Sequence, residues 1–428
     1  MCGIIGITSH KPVSASIINS IWDDQNKFDT WKLVQEKYVE TLEELGVAEK
    51  GIAKKINQSV VQKDEVYKQE EVTNHDLASF VDILQKKVGE GSNWIHYGLT
   101  SSDIVDTANS VLIIQSLDYV KDLVSDLLST LQDKAIKEKD TSIIGRTHGV
   151  YAEETFLGNI FGNWNLEVSR GLSRLESSKN NISFGKLSGP VGNHSVVTAE
   201  MEKLTLEKLS LKPEQFANQI VSRDRYAEVV SSLGILASTY ERIATNIRSY
   251  QRSEISEMFE SFKDGQKGSS AMPHKKNPIG SERITGLARI MRSYVSTSLE
   301  NMVLWNERDI SNSSVERIML PDAFHLISFM SIELNSILKN LFINYEQINM
   351  NIEDAKNKSV SQKYLSYLVN NGVDRDTAYR KIQEEIFNDL SAVELKKELE
   401  KEFNLEFPDL ENQVNKNVDE KTFKDKFK

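Results

Sequence analysis

Residues 226–259 read YAEVVSSLGILASTYERIATNIRSYQRSEISEMF. Apolar side chains fall at Val229, Val230, Leu233, Leu236, Ala237, Tyr240, Ile243, Ala244, Ile247 and Tyr250. The steps alternate between three and four, the spacing that lines one face of an α-helix. The same stepping recurs over Val111–Ile136, through Leu117, Val120, Leu123, Val124, Leu127, Leu128 and Leu131. It recurs again over Ala323–Ile348, through Ile327, Met330, Leu334, Ile337, Leu338 and Leu341. No proline lies between Pro12 and Pro190, so the strongest helix breaker is missing from a long span. Alternating, strand-like segments are scarce; Ile182–Leu187 is one short candidate. The pattern predicts an all-α chain of three mostly helical domains. Residues 1–110 form the first, 111–350 a central long-helix bundle, and 351–428 a smaller helical domain. The apolar stripes can meet within one subunit or between subunits, and both arrangements satisfy the pattern. The C-terminal end, rich in Lys, Glu, Asp and Asn, is expected to fray.

Composition narrows the function. With 428 residues, 39% hydrophobic and 27% charged, the chain has the makeup of a soluble globular protein with a large core. No apolar run approaches the ~20 residues of a membrane helix, and no signal-peptide pattern opens the chain. The single cysteine, Cys2, cannot form an internal disulfide and suits a reducing cytoplasm. A net charge of −11 argues against nucleic acid as partner. An anionic ligand would need a local basic pocket.

One loop offers such a pocket. Gly268-Ser269-Ser270-Ala271-Met272-Pro273-His274-Lys275-Lys276-Asn277-Pro278-Ile279-Gly280-Ser281-Glu282 packs hydroxyls, an imidazole, ammonium groups and a carboxamide between glycines and prolines. A helix over Arg283–Met302 is expected to follow. A loop this dense in chemistry is where binding and catalysis concentrate. Three more segments share its character: Thr73-Asn74-His75-Asp76, His96-Tyr97-Gly98-Leu99-Thr100-Ser101-Ser102-Asp103, and Gly145-Arg146-Thr147-His148-Gly149. Histidine titrates nearest neutrality and is the usual general acid or base. Hydroxyls and carboxamides suit carboxylate recognition. Any one of these histidines alone is more often a helix cap or a core residue; their joint occurrence carries the weight. Arg308 and Arg317 could equally be surface ion-pair partners, and Glu282 could simply favour a helix N-terminus.

The loop and its companion segments resemble the fumarase/aspartase superfamily, and its adenylosuccinate lyase branch in particular. The resemblance covers roughly residues 21–390 and includes Gly185-Lys186-Leu187-Ser188-Gly189, Gln219–Tyr226 and Glu307–Arg317. It implies a β-elimination that releases fumarate from succinyl-nucleotide substrates, with no metal and no organic cofactor. Such chemistry removes a proton from a carbon beside a carboxylate. It therefore needs a base, an acid for the leaving nitrogen, and donors for the developing charge. By resemblance Ser269 is the base, His148 the acid, and Glu282 the carboxylate that orients His148. Lys275, Asn277, Thr100, Ser101 and Ser270 would hold the succinyl carboxylates. Asn74, His75, Asp76, His96, Thr147, Gln219, Arg308, Ser313 and Arg317 would supply the remaining substrate contacts. The resemblance also implies a cytoplasmic homotetramer whose active sites are each built from three chains.

The chain departs from that family most at its start. The family usually carries an Arg-Tyr pair ahead of an Ile-Trp segment, where it helps hold the nucleotide phosphate. Here Ile21-Trp22 is present, but the upstream slot reads Lys11-Pro12-Val13-Ser14-Ala15-Ser16-Ile17. The opening Met1-Cys2-Gly3-Ile4-Ile5-Gly6-Ile7 instead resembles the start of class II glutamine amidotransferases, without the domain that activity requires. His10 or Lys11 is the nearest substitute for the phosphate contact. Asn306, Asn312 and Glu154 are smaller departures. Three alternatives stay open: a catalytically impaired relative, another fumarate-releasing lyase, and a structural or interaction protein.

Overall fold

The computed structural model describes residues 15–262, 265, 271–388, 390–410 and 417–427. Within them the chain is overwhelmingly helical, and the long helices stand where the apolar stripes predict them. They span Ser101–Lys137, Leu157–Ile182, Arg223–Tyr250, Ile279–Glu300 and Ser311–Lys339. Nine of the ten apolar positions of the opening stretch, Val229 to Ile247, are buried. The helix ends at Tyr250 rather than at Phe259, because the stripe stops there and Ser256 takes a left-handed φ of 54°. Likewise the third stripe breaks after Lys339; a two-residue strand and a separate helix, Tyr345–Asp354, follow. The helix expected from Arg283 begins earlier, at Ile279. Three small two-stranded sheets interrupt the helices. Phe184–Gly185 falls inside the strand candidate read at Ile182–Leu187, whereas the hairpin of Ser142–Thr147 and Val150–Phe156 was not legible as strand.

The chain forms two compact units, each drawn from separated stretches. The first comprises Met1–Asp126, Arg170–Glu241 and Ile284–Glu333. Its N-terminal core gathers Phe28, Trp31, Tyr38, Leu42, Phe80 and Leu84 with Leu187 and Leu206. Phe28, Trp31 and Phe80 pack ring on ring, at centroid separations of 5.2–6.0 Å. Asp23 starts the Asp24–Glu44 helix by accepting the Gln25 N–H at 2.8 Å. Gly234 lets the Arg223–Tyr250 helix approach a neighbour, since a Cβ there would stand 2.4 Å from Val295 Cγ2.

The second unit comprises Leu127–Ser169, Arg242–Arg283 and Leu334–Lys428. Its C-terminal helices, Ser361–Asn370, Arg375–Phe387 and Ala392–Phe403, enclose Tyr364, Leu368, Leu395, Leu399 and Phe407. The expected fraying is not general: Glu420–Asp425 is helical, Phe423 is buried, and Asn417 Nδ2 donates to Lys139 O at 2.8 Å.

Candidate active site

The first unit holds a cavity of about 1170 Å³. Eight of the residues expected to bind substrate line it: His75, Asp76, Thr100, Ser101, Gln219, Arg308, Ser313 and Arg317. His75 caps the Asp76–Val88 helix, its Nδ1 accepting the Ala78 N–H at 3.4 Å. With Nδ1 an acceptor, the neutral ring carries its proton on Nε2, and Nε2 lies 3.3 Å from Ser101 Oγ. Thr100 and Ser101 sit at the entry to the Ser101–Lys137 helix. Their backbone is fixed from below: Thr100 N–H donates to Asp103 Oδ2 at 2.7 Å. Asp103 also accepts from the Ser188 and Gly189 N–H groups, each at 3.2 Å, and from Lys186 Nζ at 2.5 Å. Lys186 and Asp103 are both fully buried. The Gly185–Gly189 block is thus a bracket for the Thr100–Ser101 turn, and Lys186 is consumed internally.

A second buried charge cluster underlies the opposite wall. Arg223 reaches Asp106 at 2.5 and 3.0 Å and Glu316 at 2.8 and 3.0 Å. Burial acts against the Arg223 charge, and the two carboxylates more than offset it, so the guanidinium stays charged. Asn301 and Asn312 each donate to Glu316 Oε1 at 3.1 Å, which gives the unusual Asn312 a structural use. Arg308 differs from Arg223. It donates to Ser102 Oγ at 3.1 Å, Gln219 Oε1 at 3.3 Å and Asn312 Oδ1 at 3.4 Å, all neutral. Its charge has no ion-pair partner among the described residues and is held facing the cavity. Arg317 is more exposed and pairs with Asp76 at 2.7 Å. The surface ion pair weighed for both arginines therefore describes Arg317 and not Arg308.

Two expected contacts of the same unit, Asn74 and His96, do not line this cavity. Asn74 ends the Lys63–Thr73 helix with a left-handed φ of 52°. His96 packs against Gln35, whose Nε2 lies 3.0 Å from His96 Nδ1. Burial lowers the His96 pKa to about 4, with His75 adding to the shift, so it is neutral at pH 7. Conversely, Asn19, Lys27, Tyr67 and His325 line the cavity without having been singled out, and Trp22 and Ser102, read only as parts of motifs, line it too. A helical phase carries part of that signal. Ser313, Arg317, Leu320, Pro321, His325, Ser328 and Ile332 share one face of the Ser311–Lys339 helix, and all border the cavity.

The second unit holds the other group. Thr147 and Val150 pair at the end of the hairpin, leaving His148 and Gly149 as a two-residue loop. Both have positive φ, 55° and 80°, as a type I′ turn requires. Asn and Gly tolerate that region best; a histidine held there costs of order 1–3 kcal/mol. Among the described residues three histidines, His96, His148 and His194, have positive φ, as does Asn74 beside His75. The stem of the Gly268–Glu282 loop is tied down nearby in sequence. Glu260 accepts the Gly280 and Ser281 N–H groups at 3.1 and 2.6 Å, capping the Ile279–Glu300 helix. Gln251 bridges the same stem, accepting from Glu260 N and donating to Lys276 O, both at 3.0 Å. Glu282 lies in the first turn of that helix and is exposed, as are Thr147, His148 and Lys275; Asn277 is half-buried. Ser269 and Ser270 lie outside the described residues. Among the described residues no cluster of three His, Cys, Asp or Glu side chains could hold a metal ion, and no helix is long and apolar enough to cross a membrane.

Known proteins share both the sequence and the architecture. The model of a lyase family matches residues 18–291. An adenylosuccinate lyase of Thermotoga maritima is 43% identical over 371 residues, 86% of this chain and 86% of that protein. One of Aquifex aeolicus is 42% identical over 86% and 85%, and one of Bacillus subtilis 40% identical over the same shares. A crystal structure of a fumarate lyase from Mesorhizobium sp. BNC1 superposes with a TM-score of 0.84 at 18% identity, covering 96% of each chain. That of a 3-carboxy-cis,cis-muconate lactonizing enzyme from Pseudomonas putida gives 0.81 at 20% identity, covering 92% of each. The structural likenesses establish the helical fold, and the sequence relatives establish the family. The chain belongs to the adenylosuccinate lyase family.

Proposed function

We propose that the chain is a carbon–nitrogen lyase of purine nucleotide biosynthesis. It eliminates fumarate from adenylosuccinate, leaving AMP, and from the succinyl-carboxamide ribotide SAICAR, leaving AICAR. The observation that carries this reading is the cavity bordered by Arg308, Gln219, Ser101, Thr100, Ser313 and Arg317. Its volume admits a nucleotide-sized ligand. Arg308, whose hydrogen bonds go only to neutral groups, is the natural grip for an anionic oxygen.

The chemistry divides as follows. Ser269 takes the proton beside the succinyl carboxylate. Lys275, Asn277 and neighbouring N–H groups stabilise the dianion that develops, so that its formation needs no solvent reorganisation. His148 delivers a proton to the departing nitrogen, oriented by Glu282. His75, Asp76, Thr147 and Ser270 complete the contacts. No cofactor takes part in this scheme. The three parts of the chain, residues 1–110, 111–350 and 351–428, assemble as a cytoplasmic homotetramer, three chains contributing to each active site.

The test is fumarate release from adenylosuccinate by the native chain, beside a variant whose N-terminal arm carries the Arg-Tyr pair. That arm, Met1 to Ser14, lies outside the described residues. Release by the native chain supports the reading. Silence with recovery in the variant means that phosphate capture alone is impaired. Silence in both removes the proposal.

A further inference from the structure

We infer that Arg146, Glu257 and Asn351 form a positioning device for His148. The inference rests on the assignment of His148 as the general acid. His148 occupies a conformation that its own turn does not favour, with φ at 55° in a two-residue loop. A two-stranded hairpin such as Ser142–Phe156 does not hold such a turn rigidly by itself. Something must fix it, and the fixing groups stand two residues before the histidine.

The strand carries a bulge between Ile144 and Arg146. Gly145 permits it, since a Cβ there would meet Glu153 O at 2.9 Å. A bulge re-aims the side chain beside it. Arg146 consequently makes a fork-on-fork pair with Glu257, Nη1 to Oε2 at 2.9 Å and Nη2 to Oε1 at 2.8 Å. The guanidinium also stands 5.2 Å from the ring of Tyr151, its register partner on the returning strand. One arginine therefore grips both strands at the base of the turn. Glu257 is fully buried and is held in turn: Asn351 Nδ2 donates to Glu257 Oε1 at 2.8 Å and to Ile255 O at 2.9 Å. A bidentate pair fixes orientation as well as distance, which a single hydrogen bond does not. Neither Arg146 nor Glu257 needs to touch substrate in this role.

The experiment replaces the pair rather than half of it, because a lone buried charge can prevent folding. The double variant Arg146→Met with Glu257→Met, the conservative Arg146→Lys, and His148→Asn are compared with the native chain. Helicity and oligomer size are checked first, and then kcat, KM and the pH dependence of kcat. The expected result for the double variant is native helicity, a kcat lowered ~10–100-fold, KM changed less than ~3-fold, and a displaced acidic or basic limb of the kcat profile. Arg146→Lys keeps the charge without the fork and falls between. A folded double variant with native kcat and an unmoved profile overturns the inference, provided His148→Asn is inactive. If His148→Asn keeps native activity, the acid assignment itself fails and the inference falls with it. Should the double variant not fold, Arg146→Lys decides alone: native kcat and profile overturn the inference.

Discussion

The cavity wall of the first unit and the hairpin and loop stem of the second solve different problems. Around the cavity, the lining groups stand on helices and on the loops beside them, and buried ion pairs, Lys186–Asp103 and Arg223–Asp106–Glu316, anchor the wall. In the second unit, His148, Lys275 and Glu282 are exposed, and what stands beside them is a strained turn, a bulge whose Arg146 pairs with Glu257, and the Glu260 cap. Recognition of a rigid, multiply charged ligand rewards a stiff wall. Proton transfer rewards a side chain with a defined aim and access to a closing partner. The contrast between a stiffly anchored cavity wall and exposed turns follows from those two demands.

The largest effect should fall on the reactive side. His148→Ala or Ser269→Ala should lower kcat by ~10²–10⁴-fold with the fold intact, the range for losing a positioned acid or base. A fumarate assay alongside circular dichroism checks it, and near-native turnover in either would erase the contrast between the regions. On the scaffold side the effect should be on stability. Asp103→Ala strands the buried Lys186 ammonium and should cost about 3–5 kcal/mol in denaturant unfolding. A loss below about 1 kcal/mol would mean that the wall is not held by that pair.

Arg308→Lys sharpens the division from within the cavity. It retains charge but loses the planar group whose Nη1 reaches Ser102 and Gln219 while Nε reaches Asn312. It should reduce kcat/KM ~10–100-fold with little change in melting temperature. The smallest effect concerns His96. Its folded pKa, about 4, lies below its ordinary value near 6.5. The unfolded chain therefore binds more protons between those values, and stability rises with pH across that window. The contribution is fully present above pH ~6.5 and is lost as pH falls towards 4. Urea titrations at several pH values, repeated on His96→Gln, should show the slope flatten in the variant. An unchanged slope would place the acid sensitivity elsewhere.

Particular residues show what was readable in advance. The stripe from Val229 to Ile247 announced its helix because burial on one face leaves a period in the sequence. Lys186 was legible as part of a motif and illegible as to role: the sequence cannot tell a lysine that meets substrate from one neutralised by Asp103, eighty-three positions away. The hairpin that carries His148 escaped because its short strands show no clean alternation, Ser142–Thr147 being only partly buried. His325 and Tyr67 escaped because neither stands in a recognisable motif.

The sequence by itself determined the helical class, the branch of the family, and the identity of the groups proposed for the chemistry. Those depend on periodicity and on local strings of residues, which linear order preserves. Only the tertiary structure decided which arginine is spent internally and which faces a ligand, that His96 is a neutral packing residue beside Gln35, and that His148 sits on a turn anchored by Arg146 and Glu257. These are questions of burial and of partners distant in sequence. The energy of a charge is set by what surrounds it in space, and linear order does not carry that information.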